Sequence, residues 1–213
     1  MTLSTSPVAP DHTTSFHGQA SLRFPAGLRL TPEQFELVCA ENRDAVLELA
    51  ADGHLIVMTP TGSETGARNS RLEMRLLLWA DQQGGWKVFG SSSGFRLPDD
   101  SVLSPDASLV RLDRWAALTP EQRRGFAPLC PDLVVELASP SDEGPRALTA
   151  LRSKMAAYQA NGARLGWLLI PHQQAVEVWP ASGDLLRFEG IAVLEAGPEF
   201  PDLQLRLEEI WAE

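Results

Sequence analysis

Cysteine, histidine and lysine are all scarce in this chain of 213 residues. Its two cysteines, Cys39 and Cys130, do not have the paired spacing of a metal site. The four histidines are scattered along the sequence, which argues against a zinc centre. The composition therefore predicts a reduced, cytoplasmic protein without structural zinc.

Long apolar runs are also missing. No run approaches the roughly 18 residues that would suggest a membrane-spanning helix, and the first residues lack the basic start and apolar segment of a signal peptide. We therefore expect no membrane association. Residues 1–20 are rich in Ser, Thr, Pro, His and Gly and are expected to form a disordered tail. Residues 21–213 have the length of a single domain.

Positive charge is in deficit, since the formal net charge is −10 at pH 7. A general nucleic-acid-binding protein usually presents a basic face, because neutralising phosphates supplies most of its nonspecific affinity. The composition therefore argues mildly against DNA as a partner. The sequence is still compatible with a local basic strip. In one stretch Glu143 is the main opposing charge to four basic residues, which are Arg146, Arg152, Lys154 and Arg164.

Helices and strands follow from turn signals and from the spacing of apolar residues. The expected helices span about 32–41, 67–83 and 146–161, with a further helix start at Thr119 and a helical turn at 207–211. The expected strands span about 45–49, 54–58, 87–90, 95–97, 107–110, 131–138, 165–170 and 175–179. Asp52-Gly53 favours a hairpin between the first two. This order is typical of a mixed α/β or α+β domain.

Three ionisable residues interrupt segments that are otherwise apolar. Asp106 closes Val102–Asp106, Glu136 lies within Leu133–Ala138, and Lys154, one of two lysines beside sixteen arginines, lies in the following helix. A carboxylate inside an apolar strand is costly unless it is paired or bound to a metal. Two carboxylates and an ammonium are what metal-dependent hydrolysis of a phosphodiester requires. The lysine would orient or deprotonate the attacking water, or stabilise the transition-state charge.

A structural interpretation of the same residues stays open at this point. Asp106 would then be a turn or cap residue, Lys154 an ordinary charge on a helix surface, and Glu136 the partner of a buried arginine. Glu48, in the strand before the hairpin, is a lesser candidate. It would either add a third carboxylate or second-shell contact, or face solvent in an alternating strand.

Gly90–Gly94 matches the G-x-S-x-G pattern of a serine hydrolase, with Ser92 as the nucleophile. That motif needs a helix immediately after the serine. A strand is expected there instead, and His172 is the only plausible downstream base. The pattern more often marks a turn.

Several segments between about Thr31 and Trp211 together resemble the Uma2 family, formerly DUF820, of the PD-(D/E)XK nuclease superfamily. The segments are Met58–Asn69, Ser91–Pro98, Ser104–Ser108, Phe126–Asp142, Lys154–Met155 and Asn161–Leu168. The resemblance implies a restriction-endonuclease-like core, which is a central mixed sheet flanked by helices, with an extra N-terminal hairpin. It also implies an endonuclease that hydrolyses DNA with Mg²⁺ or Mn²⁺ held by Asp106 and Glu136.

The resemblance also assigns the remaining site residues. In the usual superfamily pattern, a lysine follows the glutamate by two positions, and here that position is Ala138. Uma2 members resemble the variant in which a lysine of the following helix acts instead, which is Lys154. Glu48 resembles an accessory acid of the family, whereas Ile170 replaces an acid common in the family. Tyr158, one helical turn beyond Lys154, is expected on the same face as a second accessory residue.

Two further expectations concern partners and activity. A homodimer is expected by analogy, because cleavage of both DNA strands needs two sites. The alternative function is a non-catalytic binding or assembly protein that kept the nuclease fold. The net charge and the missing acid at Ile170 favour this alternative.

Overall fold

The computed structural model describes residues 27–142 and 144–212, so the tail predicted for residues 1–20 lies outside the described residues. The helices are α1 Pro32–Glu41, α2 Ser63–Gln83, α3 Leu112–Ala116, α4 Pro120–Arg124, α5 Pro145–Ala160 and α6 Glu208–Trp211. The first strands are β1 Val46–Leu49, β2 Leu55–Met58, β3 Trp86–Gly90, β4 Phe95–Arg96, β5 Val102–Leu103 and β6 Ala107–Arg111. The others are β7 Leu133–Leu137, β8 Leu165–Ile170, β9 Ala175–Pro180, β10 Leu186–Glu189, β11 Val193–Glu195 and β12 Gln204–Arg206.

A six-stranded sheet with the order β10-β9-β8-β7-β6-β3 forms the centre of the fold. β7 and β8 run parallel and the other neighbours are antiparallel, so the sheet is mixed. Parallel strands need a long crossover connection, and α5 lies in this one. The hairpin β1–β2 belongs to a second, four-stranded sheet with the order β2-β1-β5-β4. A mixed central sheet flanked by helices confirms the predicted fold class.

The two faces of the central sheet pack against different helices. Side chains alternate along β7, and Leu133, Val135 and Leu137 share one apolar cluster with Leu72 and Leu76 of α2. The buried leucines of α2 recur at helical spacing, so one stripe of this helix covers the sheet. This layer contains the larger part of the core.

The opposite face of β7 lies beneath α5. Val134 and Ala138 belong to a second cluster, which includes Met155 and Tyr158 of α5. Glu136 lies between Val134 and Ala138 in the alternation, so its carboxylate belongs to the same face. The fold thereby places a buried acid under the helix that carries Lys154.

Helix starts that carry a capping signal in the sequence are predicted correctly, whereas two starts without one are not. Thr31 and Thr119 are N-caps with complete capping boxes, and both helix starts are confirmed. α2 begins at Ser63 instead of Ala67, and α3 lies where no helix is expected from the sequence. Neither of these two helices has a side-chain N-cap, so the sequence carries no start signal. None of the helices within residues 27–142 and 144–212 is both long and apolar enough to span a bilayer.

Candidate active site

A cleft of about 620 Å³ lies where the hairpin β1–β2, the start of α2 and the strands β6 and β7 meet. Glu48, Asp106, Glu136 and Lys154 all line it. The structure therefore brings together residues that are far apart in the sequence and come from two sheets and a helix. Tyr158, the remaining predicted site residue, lies directly behind Glu136.

Lys154 joins two of the carboxylates. Its Nζ lies 2.8 Å from Glu48 Oε1 and 2.9 Å from Glu136 Oε1, and it donates to the Ser104 carbonyl at 3.0 Å. Only 13% of the lysine side chain is exposed. The structural interpretation is therefore wrong on two points, because Lys154 is not a surface charge and the ion-pair partner of Glu136 is a lysine.

Glu48 is a buried member of this cluster and not a solvent-facing strand residue. It is 3% exposed, and its Oε1 also accepts the backbone N–H of Ser104 at 2.8 Å. This bond connects the hairpin to the segment that leads into Asp106. Glu48 consequently holds both Lys154 and the loop that leads to Asp106 in place.

Asp106 immediately precedes β6, and both of its carboxylate oxygens are engaged. The Leu137 backbone N–H donates to Oδ2 at 2.8 Å, and Asn69 Nδ2 donates to Oδ1 at 2.8 Å. Because Leu137 follows Glu136 in β7, the first bond ties the two predicted metal-binding carboxylates to each other. Asp106 thus bonds across to β7 and α2 and does not cap its own turn.

Tyr158 lies one helical turn beyond Lys154, as predicted, and is fully buried. Its hydroxyl donates to Glu136 Oε1 at 3.2 Å. Lys154 contacts the same oxygen, and neither contact uses Oε2. One oxygen of Glu136 is thereby oriented by α5, while the other takes no part in these two contacts.

Burial and the excess of negative charge shift the pKa values in the cluster. Burial raises the pKa of Glu136 to about 8, with further increases from Asp106 and Glu48, although Lys154 opposes the shift. Burial also raises the pKa of Asp106. Burial alone would lower the pKa of Lys154, but Glu136 and Glu48 outweigh it and raise that pKa. All three pKa shifts are those expected for buried carboxylates grouped near the Lys154 ammonium, which stays protonated at neutral pH.

The donor chemistry of the cleft fits a hard divalent cation. Within residues 27–142 and 144–212, no group of three or more His, Cys, Asp and Glu side chains has the arrangement of a metal site. Mg²⁺ does not require three protein ligands, since it usually takes one or two carboxylates and keeps several waters. Asp106 and Glu136 can supply these two. The buried Asn69 Oδ1 lacks a hydrogen-bond partner within the described part of the chain, which leaves an acceptor beside Asp106.

Asn69 is not among the site residues named from the sequence, although the position of this residue in α2 is a signal that could have identified it. The buried positions of α2 include Thr65, Asn69, Leu72 and Leu76, which recur at helical spacing. An asparagine on such a buried stripe is costly without a partner. The stripe therefore marks Asn69 as a residue with a specific contact, although it does not identify Asp106 as that contact.

A third buried glutamate, Glu177 in β9, was also missed. Glu136 pairs in register with Leu168 of β8, and Leu168 pairs with Glu177, so the two glutamates flank Leu168. Glu177 is 1% exposed, and it accepts from Arg152 Nε at 3.0 Å and from Arg187 Nη1 at 3.0 Å. The arginine pairing expected for Glu136 is therefore found at Glu177.

The predicted basic strip is largely neutralised by acidic residues. Arg152 pairs with Glu177, Lys154 pairs with Glu48 and Glu136, and Arg164 pairs with Glu199 at 2.7 Å. Glu143, the acid expected to oppose the strip, lies outside the described residues. Three of the four basic residues of the strip are therefore paired with acids, and Arg146 is the exposed member that remains.

Glu177 also gives a prediction about acid stability. Burial would raise its pKa, but Arg152 and Arg187 outweigh burial and hold the pKa below its usual value. The stabilisation is thus present above the ordinary glutamate pKa of about 4.3 and is lost as the pH falls through the folded-state value. We expect Glu177→Gln to lower the free energy of unfolding at pH 7 by about 1.5–3 kcal/mol. Urea unfolding at pH 7 and pH 3 measures this, and an equal deficit at both pH values would contradict the explanation.

The interpretation of Gly90–Gly94 as a serine-hydrolase motif is wrong. β4 begins at Phe95, and residues 91–94 form a turn, so no helix follows Ser92. His172 lies in a short 3₁₀ turn and lines a different cavity from Ser92. The Gly/Ser segment serves as a connection between two strands.

Comparison with known proteins identifies the family and supports the fold. The Uma2 family profile, described as "Putative restriction endonuclease", matches residues 32–208. The chain is also similar to the crystal structure of "a putative nuclease belonging to DUF820" from Anabaena variabilis ATCC 29413, with a TM-score of 0.67 and 19% identity over 85% of this chain and 97% of that one. This low identity supports the fold alone, and no curated protein matches the chain. Since the family match includes both larger sheets and every carboxylate of the cleft, this protein belongs to the Uma2 family.

Proposed function

We propose that this protein is an endonuclease that hydrolyses DNA phosphodiester bonds with Mg²⁺ or Mn²⁺ bound in the cleft. The convergence of Glu48, Asp106 and Glu136 around Lys154 carries the proposal. A structural ion pair matches one acid with one base, whereas here one ammonium contacts two carboxylates, and a third, Asp106, is tied to the residue after Glu136 by a hydrogen bond. Such an excess of buried negative charge is unfavourable by itself and suits a divalent cation.

Each side chain of the cluster has a definite part in this proposal. Asp106 and Glu136 would hold the ion, which when bound polarises the phosphoryl oxygen and lowers the pKa of a water molecule. Lys154 would position the attacking water and balance the charge that develops during in-line attack. Glu48 and Tyr158 keep the ammonium and the Glu136 carboxylate in place.

The electrostatics of the cleft support a strict need for metal. DNA phosphate would meet the negative charge of the cluster, and the chain as a whole carries −10. A bound divalent cation would remove this repulsion. Thr61 and Gly62, at the start of α2, also line the cleft, and the N-terminal end of a helix favours phosphate. The expected homodimer remains part of the proposal, because two strands require two sites.

Paired glutamate variants test the proposal. We expect Glu136→Gln to reduce nicking of supercoiled plasmid at least about 100-fold, since loss of even an outer partner of a metal ligand costs about 10- to 100-fold. Glu177→Gln removes a glutamate that is equally buried but lies away from the cleft, and it should retain cleavage. The assay compares initial nicking rates with Mg²⁺ and with Mn²⁺.

The outcomes separate the two candidate functions. Equal nicking by the wild type and Glu136→Gln would place the activity elsewhere. A non-catalytic binding or assembly protein predicts no nicking by the wild type or by either variant. The matched control is required because both substitutions remove a buried, ion-paired carboxylate.

A further inference from the structure

We propose that Asn69 is a positioning residue that holds the Asp106 carboxylate ready for the metal, an inference that rests on the proposed function. Asn69 lies on α2 and is 9% exposed. Its Nδ2 donates to Asp106 Oδ1 at 2.8 Å. An ionised carboxylate can only accept hydrogen bonds, so the amide nitrogen must face Asp106 and the amide oxygen must face away.

Asn69 completes a two-sided clamp on Asp106. The Leu137 N–H holds Oδ2 from β7, while Asn69 holds Oδ1 from α2. A carboxylate bound at both oxygens cannot rotate about its last bond without losing a hydrogen bond. The clamp therefore fixes Asp106 relative to Glu136, which directly precedes Leu137. Outer hydrogen bonds of this kind orient metal ligands before the ion binds.

Stability alone does not explain an asparagine at this position. Asn69 Oδ1 and Thr65 Oγ1 are buried without a hydrogen-bond partner within the described part of the chain. The two residues lie one turn apart on the same side of α2, and Thr65 lines the cleft. Below them, the same stripe continues as Leu72 and Leu76. A purely structural position would favour another apolar side chain, whereas the amide at this position supplies a hydrogen-bond donor to Asp106.

Calorimetric titration of Mn²⁺ into the full chain tests the inference. Asn69→Leu keeps the approximate size of the side chain and removes the donor, and we expect an affinity about 10- to 100-fold weaker. Asn161→Leu is the matched control, because Asn161 Nδ2 also donates to an aspartate, Asp99 Oδ2, at 2.8 Å and lies outside the cleft. The control should bind Mn²⁺ like the wild type.

The possible results are distinguishable. If Asn69→Leu binds Mn²⁺ as tightly as the wild type, the positioning role is overturned and the proposed function stands. If the wild type binds no Mn²⁺, both are overturned. Should leucine prevent folding, Asn69→Ala removes the same donor with a smaller side chain, and the same affinity comparison applies.

Discussion

Replacing Lys154 with methionine is expected to abolish DNA cleavage and to lower the free energy of unfolding by about 3–5 kcal/mol. Methionine has a similar length but no charge. Its introduction would leave the buried Glu48 and Glu136 carboxylates without the ammonium that contacts both at 2.8 and 2.9 Å. Urea unfolding of the metal-free protein measures the stability, and plasmid nicking measures the activity.

The chain offers a matched control in its other lysine. Lys87 is the exposed residue of the edge strand β3, with its Nζ 5.6 Å from the Trp115 ring centroid. Lys87→Met should cost about 0.5–1 kcal/mol and leave nicking unchanged. Adding Glu48→Gln to Lys154→Met should restore part of the stability without restoring nicking. A Lys154→Met protein as stable as the wild type would contradict the charge balance described for the cluster.

Asp106→Asn is expected to remove stabilisation by divalent metal. For the wild type, Mg²⁺ or Mn²⁺ at 100 times its dissociation constant should raise the melting temperature by about 5–10 °C. The variant keeps the shape of the side chain. Its Oδ1 can still accept the Leu137 N–H, and the Asn69 amide can turn over to accept from the new amide nitrogen. Thermal unfolding with and without metal gives the comparison.

The metal-free Asp106→Asn protein should be at least as stable as the wild type. Burial raises the pKa of Asp106, so its ionised form is unfavourable in the folded protein without metal. Asp99→Asn is the control, because Asp99 also accepts an asparagine amide but lies outside the cleft. It should retain the full metal response. An equal metal response in Asp106→Asn would exclude Asp106 as a ligand.

Local signals in the sequence predict much of the fold. Capping boxes at Thr31 and Thr119 define two helix starts, and strand alternation places Glu136 on the face beneath α5. Helical spacing places Lys154 and Tyr158 on one side of that helix, and both contact Glu136. These features depend on residues close together in the chain, where periodicity and turn chemistry decide the structure.

The contacts that assemble the site depend on tertiary packing instead. For Glu48 the sequence left two alternatives open, a further carboxylate of the site and a solvent-facing strand residue, because alternation gives the period of a strand but does not show what covers each face. Asn69 is 37 residues from Asp106 in the sequence, so no local pattern links them. Glu177 was missed for the same reason, since only the folded structure brings Arg152 and Arg187 to it.

If this cleft cuts DNA with a divalent metal, cleavage must depend on both the metal and Asp106. The most direct measurement is nicking of supercoiled plasmid by chelator-treated protein as Mg²⁺ or Mn²⁺ is added back, with Asp106→Asn measured in parallel. We expect no nicking without metal, nicking that rises and saturates with metal for the wild type, and none for the variant. Metal-independent nicking, no nicking by the wild type at any metal concentration, or equal nicking by both proteins would contradict it.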